Sequence, residues 1–267
     1  MSFDDALYRQ HHDRGPIGRV VHYVDATAST MDDARAGAAR AGADGCGDAY
    51  VAGEQSAGRG RAGRSWVSAA ASGLYVTYHL CPLVAERAPL LSIVGALATA
   101  EAIAETCDLR VDVKWPNDLL HGGRKLAGIL AEARAAREPG RLDVLLGIGI
   151  NLRTASMLPP AVAAIATSVE QAGAMAPATE RLLAALSNAL ARRAPQADVA
   201  PERLVADWRA RLVTLGTRVR METPSGPVEG EALDVTAHGE LILRLADGTS
   251  RALAAGDVHT IDGHRGE

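Results

Sequence analysis

Only about seven residues, Ser65 to Ala71, separate the segment "QSAGRGRAGR" (Gln55 to Arg64) from the Ser72-Gly73 turn and the strand that follows. That spacing limits the fold more than any other feature, because the segment carries two nucleotide-loop patterns at once. From Gly58 it reads G-x-G-x-x-G, and from the same glycine G-x-x-x-x-G-R-S, a phosphate loop with Arg where Lys should stand. Either loop needs a helix starting at its last glycine, so that amides and helix dipole meet the phosphate. A βαβ crossover takes roughly 10–12 residues, and the space here is too short. Nor does an acidic residue stand at the ribose position about 20 residues on; the next one is Glu86. Both readings fail, and a doubly wound sheet built around this loop fails with them.

The remaining pattern is α+β. Val20 to Val24 reads as a strand, and "TASTMDDARAGAARAG" as a helix capped by Ser29 or Thr30, each with Asp three residues later, and stopped by Gly42. Tyr50 to Ala52 is a brief strand, and Leu74 to Leu80 alternates as a strand should. Ala88 to Thr106 is a long apolar helix. A strand over Val111 to Trp115 ends at Pro116, "HGGR" (His121 to Arg124) is a hairpin turn, and strands follow through Lys125 to Ala133 and Leu142 to Ile150. Two further helices cover Ala178 to Arg193 and Pro201 to Leu212. Beyond Leu215, short alternating strands separated by "SG", "HG", "ADG" and "AAGD" predict a small β-barrel, with a domain boundary near Thr214. The expected domains are residues 1–213 and 214–267.

A net charge of −4 argues against a general nucleic-acid binder. Leu90 to Ala104, the longest apolar stretch, is interrupted by Ser92, Thr99 and Glu101 and is too short to span a bilayer. No signal segment opens the chain, so a cytoplasmic location is expected. Cys46, Cys81 and Cys107 form no C-x-x-C, which suggests neither a metal site nor a disulfide framework. His11 and His12 read as a solvated face.

Of 28 basic residues only Lys114 and Lys125 are lysines. A compact ammonium on a flexible stem does work that a planar guanidinium fork does not, so these two are the first candidates for chemistry. The Arg59, Arg61 and Arg64 forks suit carboxylate or phosphate oxygens; a solvated loop or an Arg-Gly contact to RNA fits the same string.

Taken in order, S-T-x-D at Ser29, Q-x-A-G-R-G-R-x-G-R at Gln55, "KWPND" (Lys114 to Asp118), "GRKLAGIL" (Arg124 to Leu130) and "GIGIN" (Gly147 to Asn151) resemble the biotin protein ligases. The resemblance spans most of residues 20 to 262. It implies a mixed-sheet catalytic core of the biotin/lipoyl-ligase type and a C-terminal SH3-like barrel. It also implies the activity: biotin and ATP give biotinyl-5′-AMP and pyrophosphate, and biotin then passes to a lysine of a biotin carboxyl carrier protein domain of an acyl-CoA carboxylase. A carboxylate attacking an α-phosphate brings two anions together, so fixed cations lower the barrier.

By the same resemblance Lys125 contacts the biotin carboxylate and the adjoining phosphoryl oxygen, with Arg61, Lys114 and Asp118 as further catalytic candidates. Ser29, Thr30 and Gln55 match positions that bind the ureido head; helix capping is the competing role for the first two, and Gln55 has no local structural demand. Met31 stands where several members have Asn. Gly58, Arg59, Gly60 and Arg61 match a loop that closes over the adenylate, and Gly128, Gly147 and Gly149 would let backbone approach the ligand. Arg64, Trp66, Asn117 and Asn151 match the ATP side, with core packing the rival role for Trp66; Arg251 is a further ATP candidate. Asp118 would hold Mg²⁺ or assist the incoming amine, or simply form a turn, and no dedicated protein metal site is expected.

About 20 residues precede the first core strand, too few for a winged helix-turn-helix. The expectation is a monomer or weak homodimer without DNA binding or membrane attachment. The rival readings are a lipoate or octanoate ligase of the same superfamily, a non-catalytic biotinyl-AMP-binding homologue, and an RNA-binding module. The related transferases use a Cys with Lys, and no Cys lies beside Lys125 in sequence.

Overall fold

The computed structural model describes residues 3–136, 139–154, 158–223, 226–254 and 256–261. Its elements are α1 (Asp5–His11), β1 (Val21–Thr27), α2 (Thr30–Ala41), β2 (Ala49–Gln55), β3 (Gly73–Val84), α3 (Leu90–Cys107), β4 (Asp112–Lys114), β5 (Asp118–His121), β6 (Arg124–Ala135) and β7 (Arg141–Asn151). Then come α4 (Pro160–Ile165), α5 (Thr179–Arg193), α6 (Gln196–Val199), α7 (Pro201–Arg209), β8 (Arg218–Thr223), β9 (Gly226–Val235), β10 (Leu241–Arg244), β11 (Ser250–Leu253) and β12 (Asp257–Thr260). Seven strands form one sheet in the order β1-β2-β3-β7-β6-β5-β4. Its one parallel pair is β1–β2, joined through α2; every other neighbouring pair is antiparallel. The sheet is therefore mixed, and the fold is α+β as expected.

Alternation along the strands decides which way each side chain faces. On β3, Leu74, Val76, Tyr78 and Leu80 turn to one side; on β7, Val144, Leu146, Ile148 and Ile150 join them in the main buried cluster with α3 and α5. Burying each such side chain contributes about 1.5–3 kcal/mol. The helix α3 is apolar along most of its length and is buried there, while Ala104 and Glu105 near its C-terminal end are exposed. Among the described residues it alone is long and apolar enough to cross a membrane, longer than the stretch read from sequence, and 72% of it lies inside the protein.

The last five strands form an antiparallel sheet in the order β11-β10-β9-β8-β12 where the sequence places a small β unit. Its Val219, Met221, Ala232, Leu241 and Leu243 share the main cluster with Trp208 of α7. Trp115 secures the junction: its backbone N–H donates to Thr214 Oγ1 (2.9 Å) and its Nε1–H to the Gly239 carbonyl (2.9 Å).

Two sequence expectations are corrected. His11 is exposed as expected, but His12 is not: α1 packs on α5, Tyr8 donates its hydroxyl to the Gly18 carbonyl (2.7 Å), and His12 is buried with Nε2 2.8 Å from the Ile17 carbonyl. Burial pushes the Tyr8 hydroxyl up to about 12. Cys46 and Cys81, 35 residues apart, form a disulfide with Cα atoms 5.7 Å apart. The cause is long-range pairing that spacing does not reveal. The turn before β2 is bonded to β3, Gly47 N–H to His79 O (2.7 Å) and His79 N–H to Asp48 O (3.0 Å), which sets the two cysteines side by side.

Candidate active site

The other face of the sheet carries Tyr75 and Thr77 from β3 and Gly147, Gly149 and Asn151 from β7, and α2 covers part of it. Ser29 is the N-cap of α2 in extended backbone, yet its side chain makes no capping bond. Gln55, at the end of β2, does that work. Its Oε1 accepts from Thr30 N–H (2.8 Å) and Thr30 Oγ1 (3.1 Å), while its Nε2 donates to Ser68 Oγ (2.7 Å). Thr30 Oγ1 also meets Thr77 Oγ1 at 2.9 Å. So Gln55 has the structural demand that sequence reading denied it. Ser29 Oγ is buried with no partner in the protein, which leaves a hydroxyl whose desolvation costs about 1–3 kcal/mol until a ligand bonds it.

The Gly/Arg segment folds as a small hairpin. Arg59 pairs with Ser65, Gly60 N–H donates to Arg64 O (2.7 Å) and Trp66 N–H to Gly58 O (2.8 Å). The turn at Arg61–Gly63 places Ala62 and Gly63 at φ 52° and 72°. Gly58 is needed where the two arms touch, since a Cβ there would lie 2.4 Å from Trp66 O. Arg59 Nη2 donates to both carboxylate oxygens of Asp32 (2.6 and 2.6 Å), tying the hairpin to the first turn of α2.

Trp66 returns from the hairpin onto the sheet. A Cβ at Gly149 would lie 2.5 Å from the indole Cε2, and one at Gly128 2.8 Å from Cζ3; at Gly147 it would press on Met31 Sδ at 3.3 Å. The protein's own Trp66 and Met31 pack against these glycines, which also line the cavity of the site. The indole Nε1 is buried without a partner, and Lys125 Nζ stands 5.2 Å from the ring centroid, a cation–π distance.

Lys125 Nζ is also 2.7 Å from Asp118 Oδ1. Asn117 Nδ2 donates to Ile129 O (2.6 Å), and its Oδ1 accepts from Arg61 Nη1 (3.3 Å). Asn151 Nδ2 donates to Thr167 O (3.0 Å) while Thr167 N–H donates to Lys125 O (2.9 Å), so the segment after α4 lies along β6 at the rim.

These parts enclose a cavity of about 570 Å³. Ser29, Thr30, Met31, Gln55, Arg59, Gly60, Arg61, Arg64 and Trp66 line it. So do Lys114, Asn117, Asp118, Lys125, Gly128, Gly149 and Asn151. Of the site residues expected from the sequence, Gly58 lies outside the cavity, inside the hairpin, and Arg251 lies outside it as well. Arg251 sits exposed on β11 and does not reach the cavity, where Val258 and His259 of β12 do. Sequence reading missed Tyr75, Thr77, Arg124, Arg153 and Ala166–Ser168. Strict alternation in "LYVTYHL" was the available signal for the first two; the rim segment has no local pattern to betray it. Among the described residues the lining holds seven Lys and Arg side chains and one carboxylate, Asp118, in a chain of net charge −4. Such a pocket binds anions and stabilises charge that grows on them.

The model of the biotin/lipoate A/B protein ligase family matches residues 42–151, and that of the biotin protein ligase C-terminal domain residues 214–259. A biotin–[acetyl-CoA-carboxylase] ligase of Mycobacterium tuberculosis is 37% identical over 246 residues, covering 90% of this chain and 88% of that protein. The chain belongs to the biotin protein ligase family. Another biotin protein ligase relative, the bifunctional ligase/repressor BirA of Bacillus subtilis, is 31% identical over 90% of this chain and 74% of its own length. The fold is shared with the biotin protein ligase of Aquifex aeolicus solved with biotin and ATP, at TM-score 0.73 and 23% identity, covering 92% and 100% of the two chains. The Leishmania major ligase solved with biotin gives TM-score 0.61 at 28% identity over 88% and 98%.

Proposed function

We propose that this biotin protein ligase activates biotin with ATP and transfers it to a lysine of a biotin carboxyl carrier protein domain of an acyl-CoA carboxylase. The observation that carries the reading is the cavity itself, whose described lining holds seven cationic side chains and one carboxylate. In the first step a biotin carboxylate oxygen attacks the α-phosphorus and pyrophosphate leaves. In the second the carrier amine attacks the acyl carbon and AMP leaves.

The residues divide this work along the cavity. Ser29 Oγ, unpartnered in the protein, and Thr30 Oγ1 bond the ureido head, with Gln55 holding Thr30 in place. Trp66 forms the apolar wall, which fits the aliphatic arm of biotin. Lys125, above that ring, sits between the acyl oxygen and the phosphoryl oxygen; Arg61, Arg64 and Lys114 meet the polyphosphate. Arg59 keeps the hairpin on α2, where it excludes water from a hydrolysable anhydride. Asp118, bonded to Lys125, orients that ammonium and accepts a proton from the incoming amine.

Mg²⁺ fits this donor set, since it binds through one or two carboxylates plus substrate phosphates and Asp118 is the lining carboxylate. When bound it neutralises polyphosphate charge. The reading also takes residues 1–213 as the catalytic unit and 214–267 as its C-terminal partner. It places the enzyme in the cytoplasm, as a monomer or weak homodimer without a DNA-binding role.

The test is incubation with Mg-ATP and an equimolar mixture of biotin, lipoate and octanoate, followed by mass spectrometry of acyl-adenylates, with Lys125→Ala alongside. Biotinyl-AMP alone, lost in the variant, is the expected result. Lipoyl- or octanoyl-AMP would move the substrate to the neighbouring class, and bound biotin without any adenylate would make the chain a binding protein.

A further inference from the structure

At the end of α2 remote from the cavity, the same face of the sheet carries a second cluster. His79 and Cys81 follow Thr77 in alternate positions on β3, and Asp143 lies two residues before Leu145, the partner of His79 on β7. A ring nitrogen of His79, Cys81 Sγ and a carboxylate oxygen of Asp143 all lie within 4.8 Å of one another, and Cys46 is bonded to Cys81.

The imidazole shows what the cluster lacks. His79 is fully buried, and its Nδ1 stands 3.0 Å from the Gly45 carbonyl. A carbonyl oxygen only accepts, so Nδ1 donates to Gly45 and the ring is oriented with Nε2 toward Asp143. That Nε2 has no hydrogen-bond partner and faces Asp143 Oδ2 at 3.4 Å. A fully buried ring nitrogen without a hydrogen-bond partner, beside a half-buried carboxylate and a sulfur, is a set of donor atoms that a cation can join. A backbone carbonyl fixing the far ring nitrogen is the usual support of a histidine that ligates metal.

We propose that reduction of the Cys46–Cys81 disulfide opens a zinc site formed by Cys46 Sγ, Cys81 Sγ, His79 Nε2 and Asp143. Two sulfurs, one imidazole and one carboxylate are a tetrahedral set for a borderline-soft divalent ion. A dithiol reductant supplies two electrons and two protons, breaks the S–S bond and closes its own disulfide. Zn²⁺ then replaces the two thiol protons, which leave to solvent. The site therefore alternates between a covalent and a metal cross-link joining the turn after α2 to β3.

The probe is Co²⁺, whose tetrahedral thiolate complexes absorb strongly. The full chain is reduced with a phosphine, which leaves as its oxide with oxygen from water, then freed of the reagent and titrated. One Co²⁺ per chain with a sulfur-to-cobalt charge-transfer band, displaced by one equivalent of zinc, is expected; the oxidised chain binds none. Cys46→Ser and Asp143→Asn each lower affinity by about tenfold or more. Where a variant fails to fold, alkylation of the reduced wild type decides. Zinc protects Cys46 and Cys81 while buried Cys107 reacts as before. No cobalt band in the reduced protein, a band that survives Cys46→Ser with Cys81→Ser, or equal alkylation with and without zinc would overturn the proposal.

Discussion

The two faces of the seven-stranded sheet are built from the same strands by opposite rules. Toward α3 and α5, β7 presents Val144, Leu146, Ile148 and Ile150, all at most 3% exposed. Toward α2 it presents Leu145, Gly147, Gly149 and Asn151, of which only Leu145 belongs to a buried apolar cluster, the small one with Met31, Ala34, Ala38 and Tyr50. The first face is close-packed, so that its residues are interchangeable in kind but not in volume. On the second, side chains are withheld so that Trp66 can lie flat and a cavity can remain. Stability and chemistry are thereby separated by the thickness of one strand.

That separation is open to direct attack. Leu146→Ala on the packed face is expected to lower unfolding free energy by about 2–5 kcal/mol. Urea denaturation measures it, and adenylate formation per folded molecule should be unchanged. Lys125→Ala on the open face reverses the pattern. Adenylate formation in single-turnover assays falls on the order of 10²–10³-fold, while stability shifts by less than about 1 kcal/mol, since its ion pair with Asp118 is partly solvated.

Gly149→Ala sharpens the contrast because it adds one methyl against Trp66. It should cost about 1–3 kcal/mol of overpacking and weaken biotin binding with a shift in tryptophan emission. Unaltered emission would mean that the ring does not rest on the glycine.

The smallest effect at neutral pH belongs to the packed face. Tyr8 and Tyr78 share Ser187 Oγ at 3.2 and 2.9 Å. Burial holds both phenols protonated, Tyr8 up to about 12 and Tyr78 well above its ordinary range. The folded state keeps protons that the unfolded chain releases from about pH 10. The stabilisation is therefore complete below pH 10 and is lost as pH rises toward 12. Tyr8→Phe should flatten that alkaline slope in denaturation curves measured across the window.

Legibility in the sequence followed the same division. Alternation and helical periodicity are local, so the packed face, α3 and the hairpin at Gly122-Gly123 could be read directly. The two lysines could be singled out because composition made them rare, and the Gly/Arg segment because its glycine spacing imitates nucleotide loops. Features made by distant partners could not. Gln55 caps a helix that starts 25 residues earlier, and Asp32 meets Arg59 across 27. Cys46 finds Cys81 across 35. The glycines illustrate a half-legible case: their spacing announces a close approach but does not say by what, and the answer is an indole from the same chain.

One consequence concerns what the cysteines are kept away from. None of the three lines the cavity. Cys46 and Cys81 stand beyond the far end of α2, whose twelve residues span about 18 Å, and Cys107 is buried at the end of α3. Acyl phosphates acylate thiols readily, and a sulfur beside the adenylate would load the protein with its own product as a thioester. An intermediate held here meets no sulfur of its own chain. Its lifetime is set by how well the hairpin keeps water out, and loss to a thioester within the protein is avoided.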